Sequence, residues 1–220
     1  CGSAANRDDL TEVLVTGGRA FADTNVLVLN SAELFDPAAG TFSATTGPMV
    51  RYRRLHRATN LANGKVLITG GVGGTGETTN GLPSLVELYD PATGTFTAVS
   101  SLNTPRQKHQ AILLHTGKVL VAGGIGAGIA RVEAELYDPA TSTFTATGSM
   151  ITARGNPNLT RLANGKVLVY GGADTAGVPI LSSEIYDPAT GTFTAAGNAL
   201  VARDGNRGTR LDNGKIMSVG

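Results

Sequence analysis

An aromatic-Asp-Pro step occurs four times along the chain, at Phe35-Asp36-Pro37, Tyr89-Asp90-Pro91, Tyr137-Asp138-Pro139 and Tyr186-Asp187-Pro188. Each is followed six residues after its Asp by a phenylalanine (Phe42, Phe96, Phe144, Phe193). Each is preceded by a glycine pair, at Gly17-Gly18, Gly70-Gly71, Gly123-Gly124 and Gly171-Gly172. Self-similarity at such a period restricts the chain to a repeat architecture, in which one unit buries its apolar face against the next. The repeat also sorts the residues. A side chain that returns in every copy belongs to the scaffold, and specific function belongs to residues that break the pattern.

Residues 154–200 show what one copy encodes. Asn156 to Leu162 is a short mixed stretch, and Asn164-Gly165 after it predicts a type I′ hairpin turn. Lys166 to Tyr170 is a β-branched and aliphatic run that reads as a buried strand, ended by Gly171-Gly172. After a loop, Ser183 to Tyr186 is a third strand, and Asp187-Pro188-Ala189-Thr190-Gly191 is a turn. There the Asp side chain bonds the backbone ahead, Pro presets φ and Gly takes the left-handed position. Thr192 to Ala195 is the fourth strand. No stretch carries helical periodicity. The expectation is an all-β chain of four-stranded antiparallel sheets.

The glycine pair closing strand two, the Tyr-Asp-Pro turn after strand three and the aromatic opening strand four resemble a Kelch repeat of the bacterial galactose-oxidase-like kind. The resemblance runs from about Glu12 to Gly220. It implies a Kelch-type β-propeller, with four blades nearly complete and the start of a fifth. A lead-in would occupy 1–10 and a single partial propeller domain 11–220, with blades near 11–49, 53–102, 106–150, 154–200 and 203–220. In this reading the first blade holds only strands two to four, because residues 4–10 lack the Thr-x-Leu pattern of Thr160–Leu162 and Thr209–Leu211. Family resemblance implies six or seven blades in all. Two departures concern packing and turn strain: strand four opens with Phe where the family has Trp, and Ser142 replaces the turn glycine in the third copy.

Spacing locates the variable part. From turn Asp to the second glycine of the next pair is 34 or 35 residues in every copy, whereas from second glycine to the following Asp is 14 to 19. Length therefore varies between strands two and three, and loops that vary on a repeated scaffold are favoured places for binding.

Composition limits the partners. The net charge is +1, so no global field points to nucleic acid or an anionic membrane. No apolar run approaches the roughly 18 residues that would read as a membrane span. The one cysteine, Cys1, excludes an intramolecular disulfide. Cys1-Gly2-Ser3 suits the first mature residues of a bacterial lipoprotein, with Cys1 as the lipidated residue; the alternative is a fragment boundary. By resemblance, the expected location is extracellular or at the bacterial cell surface, with a lipid anchor at Cys1 in the first case.

Two sets of ionisable residues recur and read as scaffold, paired within or between copies. Arg53, Arg106, Arg154 and Arg203 each stand 18 residues before the second-glycine position, and Glu33, Glu87, Glu135 and Glu184 each stand three before the turn Asp. An anion-binding arginine ring is the functional alternative. The pattern-breaking residues cluster after those arginines, at the approach to strand one: Arg54, His56, Arg57, Lys108, His109, Asn156, Asn158 and Arg207. These donors suit a carboxylated or hydroxylated ligand or an acidic peptide. Galactose-oxidase resemblance brings copper to mind for His56 and His109, but the only cysteine is terminal and the fourth copy has Pro157 at the equivalent position. No catalytic residue and no cofactor is assigned. The expected function is a non-catalytic module that binds a glycan or peptide on the face of the strand-two-to-three loops. The alternatives are the propeller part of a galactose-oxidase-like enzyme and a structural repeat of a larger surface protein.

Overall fold

The computed structural model describes residues 3–5, 12–22, 25–74, 76, 81–205 and 207–220. Cys1, the expected lipidated residue, lies outside them. The described residues are all-β, with no helix and hence none long and apolar enough to cross a membrane. They divide into two compact units, Cys1–Gln107 and Lys108–Gly220.

Each unit contains two four-stranded antiparallel sheets. In the first unit one sheet orders Ser3–Ala5, Val13–Ala22, Asn25–Asp36 and Thr41–Ala44 side by side. The next orders Arg57–Asn60, Val66–Thr69, Leu85–Asp90 and Thr95–Ser101. In the second unit the corresponding strands are Gln110–Leu113, Val119–Ala122, Ala134–Asp138 and Thr143–Ala146, then Asn158–Arg161, Val167–Tyr170, Ser183–Asp187 and Thr192–Ala196. A pair, Arg207–Arg210 with Ile216–Val219, follows. First strands of successive sheets are neighbours: Asn158–Arg161 lies beside both Gln110–Leu113 and Arg207–Arg210, and Ser3–Ala5 beside Arg57–Asn60.

The first sheet is more complete than the sequence suggests. Ser3–Ala5 pairs with Leu14–Thr16 as its first strand, inside the expected lead-in. A three-residue strand held through backbone bonds needs no side-chain pattern, so the missing Thr-x-Leu was no guide.

Burial follows the apolar runs. Val66, Leu67 and Ile68, and Val119 to Ala122, are fully buried second strands, while fourth strands face outward. The core of the first unit joins Leu14 and Ala32 of one sheet to Val66, Ile68 and Tyr89 of the next, closed by Met49 from the connection between them. In the second unit Leu120 and Ala134 meet Val167, Val169 and Tyr186, closed by Met150. The aromatic step and the following Phe are cross-strand partners in every copy, with ring centroids 4.8 to 5.0 Å apart. Such pairs stabilise beyond the area they bury. The tyrosine of each Tyr–Phe pair is fully buried, whereas Phe96 and Phe193 are half-buried and Phe42 is exposed.

The two turn types differ in outcome. At the Asp-Pro turns Oδ1 of Asp36, Asp90, Asp138 and Asp187 accepts the N–H two residues on, as expected. Lys65, Lys118 and Lys166 reach Asp90, Asp138 and Asp187 from the neighbouring hairpin at 2.9 to 3.1 Å. The Asn-Gly hairpins are not type I′. Gly64, Gly165 and Gly214 have positive φ, but Asn63, Asn164 and Asn213 do not. The N–H of Gly64 bonds the Leu61 carbonyl and that of Leu61 bonds the Lys65 carbonyl, a type I turn followed by a left-handed glycine. Asn63 Oδ1 accepts from Lys65 N–H instead of enabling a positive φ.

Ser142 stands where the other copies have Gly40, Gly94 and Gly191, and it adopts the same left-handed backbone at φ 56°. A Cβ is costly there. Ser142→Gly should therefore stabilise the protein by about 1 kcal/mol, read as a higher urea midpoint at unchanged m value. Equal or lower stability would show that the turn carries no strain.

Candidate functional site

Antiparallel pairing gives every sheet two distinct ends. The Asn-Gly and Asp-Pro turns share one end; the glycine pairs, the strand-two-to-three connections and the approaches to strand one share the other. The register fixes this, since Val66 faces Tyr89 and Ile68 faces Glu87 while Arg57 faces Thr69.

At the glycine end the repeated arginines and glutamates form buried locks. Arg53 Nη2 meets Glu87 Oε1 at 2.5 Å, and Arg154 Nη2 meets Glu184 Oε1 at 3.1 Å, with all four side chains essentially inaccessible. Each arginine also donates Nη1 to the carbonyl of the first glycine of its own copy, Gly70 at 2.9 Å and Gly171 at 3.2 Å. Each glutamate accepts two backbone N–H groups of the preceding connection, from Val50 and Arg51 or from Ile151 and Thr152. Burial pulls both guanidiniums below the ordinary arginine pKa, and the adjacent carboxylate opposes that pull. Arg106 and Glu135 are buried likewise. Glu33, by contrast, is exposed, and Arg203 is half-exposed and donates to the backbone carbonyls of Gly220 and Val201. The expected pairing of these two sets is thus seen at Arg53–Glu87 and Arg154–Glu184.

The glycine pairs make room for the following connection. The N–H of Gly71, Gly124 and Gly172 donates to the carbonyl of Arg106, Arg154 and Arg203 respectively, at 2.8 to 3.0 Å. A Cβ on Gly123, at φ +65°, would stand 2.8 Å from the Arg154 carbonyl oxygen. No side chain fits at that distance.

Two residues past each repeated arginine the backbone is left-handed in all four copies: Leu55, Lys108, Asn156 and Gly205. Only Asn and Gly tolerate this readily, so Leu55 and Lys108 are held there by their surroundings. In the second unit the Asn156 N–H donates to the Lys108 carbonyl at 2.8 Å, and its Nδ2 donates to Asp204 Oδ1 at 3.0 Å. Lys108 and Asp204 are exposed and Asn156 half-buried. Asp204 was not singled out from sequence. It follows its arginine directly, and nothing but this bond distinguishes it.

In the first three copies the segment after or through the glycine pair forms part of a small ribbon. Val13–Ala22 continues through Gly17-Gly18 with a bulge, so this glycine pair does not end its strand. Val72–Gly74 pairs back to Tyr52–Arg54, and Ile125–Gly126 folds against Ile129–Ala130. Phe21, Ile129 and Val178 are exposed in these ribbons and loops.

The expected ligand residues fall into two groups. His56, His109 and Asn158 are buried. Arg54, Arg57 and Asn156 are half-buried, and Lys108 and Arg207 are exposed. His56 Nε2 and Thr16 Oγ1 share a 2.9 Å hydrogen bond, while Nδ1 is buried and has no partner among the described residues. Burial first, then the charges of Arg53 and Arg57, push the imidazole pKa down to about 3. Among the described residues no three His, Cys, Asp or Glu side chains are grouped to hold a metal ion. No protein-family model matches the chain, and no curated protein matches it.

Two outcomes follow. Glu184→Gln should leave the Arg154 charge buried and unpaired, destabilising the fold by about 3–5 kcal/mol in urea unfolding. Glu33→Gln, at the same repeat position but exposed, should change stability by less than about 0.5 kcal/mol. Equal effects would refute the lock. His56 is neutral when folded and titrates near its ordinary 6.5 when unfolded, so its contribution is complete above that pH and is lost as pH falls toward 3. Stability should fall by up to about 1.4 kcal/mol per pH unit for this one proton, and His56→Asn should remove that component between about pH 6 and pH 4. An unchanged slope in urea titrations across this range would show that His56 does not hold the neutral state.

Proposed function

We propose that the chain is part of a Kelch-type β-propeller and acts as a non-catalytic binding module, with a glycan or peptide ligand on the glycine end of the sheets. The propeller reading is supported by first strands that lie side by side from sheet to sheet, with fourth strands outward. One observation carries the binding reading. In the second unit, at the approaches to successive first strands, identical backbone geometry presents different side chains: Lys108, then Asn156 bonded to Asp204. A rigid frame that varies only its exposed donors and acceptors is suited to recognising hydroxyl or carboxylate groups. The buried Arg154–Glu184 pair, two residues before Asn156, anchors this stretch without using the Asn156 side chain.

The test is a panel of immobilised glycans and acidic peptides probed with the intact chain. Binding should fall at least roughly tenfold in Lys108→Ala and Asn156→Ala, with the thermal midpoint shifted by no more than a few degrees. No binding across the panel, or binding indifferent to both substitutions, would overturn the proposal.

A further inference from the structure

The approach to the second sheet carries three arginines within four residues, at Arg51, Arg53 and Arg54. Its strand, Tyr52–Arg54, is pinned on both sides: it pairs with Val72–Gly74 and lies beside Val13–Ala22 of the preceding sheet. Successive side chains on a strand point to opposite faces. Arg53 turns inward to Glu87 and is buried, so Tyr52 and Arg54 share the outward face, each half-buried. At the positions of Arg51, Tyr52 and Arg54 the third copy has Thr104, Pro105 and Gln107, and the fourth has Thr152, Ala153 and Gly155. The two cations and the ring therefore break the repeat and are not needed to build a sheet.

Their charge is not balanced from within the unit. Glu87 is taken by Arg53 and by the N–H groups of Val50 and Arg51. Among the described residues the guanidiniums of Arg51 and Arg54 form no ion pair, and Arg54 Nε is buried without a hydrogen-bond partner. Burial lowers the Arg53 pKa most, Glu87 opposes it, and the charge of Arg51 adds to the lowering, which places that charge close by. A half-buried guanidinium with an open Nε–H gains most from an oxyanion that takes its donors in pairs.

We infer that Arg51, Tyr52 and Arg54 form a second binding site, for a glycan whose sugar rings carry carboxylates. An extended strand sets the Tyr52 and Arg54 side chains about 7 Å apart on one face. One sugar ring can then lie against the phenol ring while its carboxylate meets Arg54, and Arg51 serves the carboxylate of the next sugar. A peptide is the poorer fit. Peptides dock on sheets by adding to an open strand edge, and here Val72–Gly74 is paired with Tyr52–Arg54 on one side and bridged from Gly73 to Gly81 on the other. The site lies wholly in the first unit and uses neither Lys108 nor Asn156, so it stands or falls apart from the reading above.

The test is calorimetric titration of the intact chain with an oligogalacturonate, with the same oligosaccharide reduced at its carboxyl groups, and with a polyglutamate peptide of equal charge. The oligogalacturonate should saturate, and the other two should bind at least roughly tenfold more weakly. Arg54→Gln and Arg51→Gln, each checked for an unchanged thermal midpoint, should weaken oligogalacturonate binding at least roughly tenfold. Arg54→Lys keeps the charge but loses the planar fork, and should not restore it. Tyr52→Ala should weaken the sugar and leave polyglutamate binding unchanged, and Lys108→Ala should alter neither. Equal binding of polyglutamate and oligogalacturonate would show a general anion surface and overturn the inference. No saturation up to about millimolar sugar, or binding indifferent to both arginine substitutions, would overturn it equally.

Discussion

A guanidinium taken out of water must recover a counter-charge and several hydrogen bonds from its immediate surroundings. Arg53 and Arg154 recover them from a glutamate on strand three and from the carbonyl that ends strand two. The glutamate is in turn held by two N–H groups of the chain segment arriving from the previous copy. One buried charge pair thus ties three segments that are up to 37 residues apart in sequence. The glycine pairs depend on the same arrangement, because the carbonyl of the next copy's arginine approaches Gly17 and Gly123 too closely for a Cβ, as the carbonyls just past Arg53 and Arg154 approach Gly71 and Gly172.

This lock explains the distribution of sameness and difference. Groups that complete it recur, while groups just outside it vary: the ribbons between strands two and three, and the residue held left-handed two places after the arginine. It also explains why the copies are not equivalent. Glu33 is exposed, and Arg203 is half-exposed and donates to backbone carbonyls, whereas the paired residues Arg53, Glu87, Arg154 and Glu184 are buried. Burial of either charge is stable only when the other is present.

His56 shows the same logic in a neutral group. Surrounded by cationic arginines and bonded to Thr16, it keeps its place by remaining uncharged. Its position among pattern-breaking polar residues suggests a surface donor, yet its side chain belongs to the packing between neighbouring strands. His109 and Asn158 are buried as well, so the exposed polar groups at this end reduce to a smaller set that includes Lys108, Asp204 and Arg207.

The amino-acid sequence alone determined the repeat, the all-β class, the turn chemistry at each Asp-Pro and the scaffold character of the arginines and glutamates. Each of these is local or periodic: an Asp side chain reaches its own turn, and an apolar run is long enough only for a strand. The tertiary structure decided what depends on a partner distant in sequence. Residues 3–5 form a strand because a backbone edge lies beside them, not because of their side chains. Asn63 and Asn164 keep negative φ because the hairpins close with a left-handed glycine after a type I turn. Whether a polar residue near strand one faces water or core depends on the strand packed beside it. Asp204 gains its bond because Asn156, 48 residues earlier, is folded against it. Sequence periodicity places residues along a strand, but burial and pairing are set by the neighbouring strand, which a single copy of the repeat does not contain.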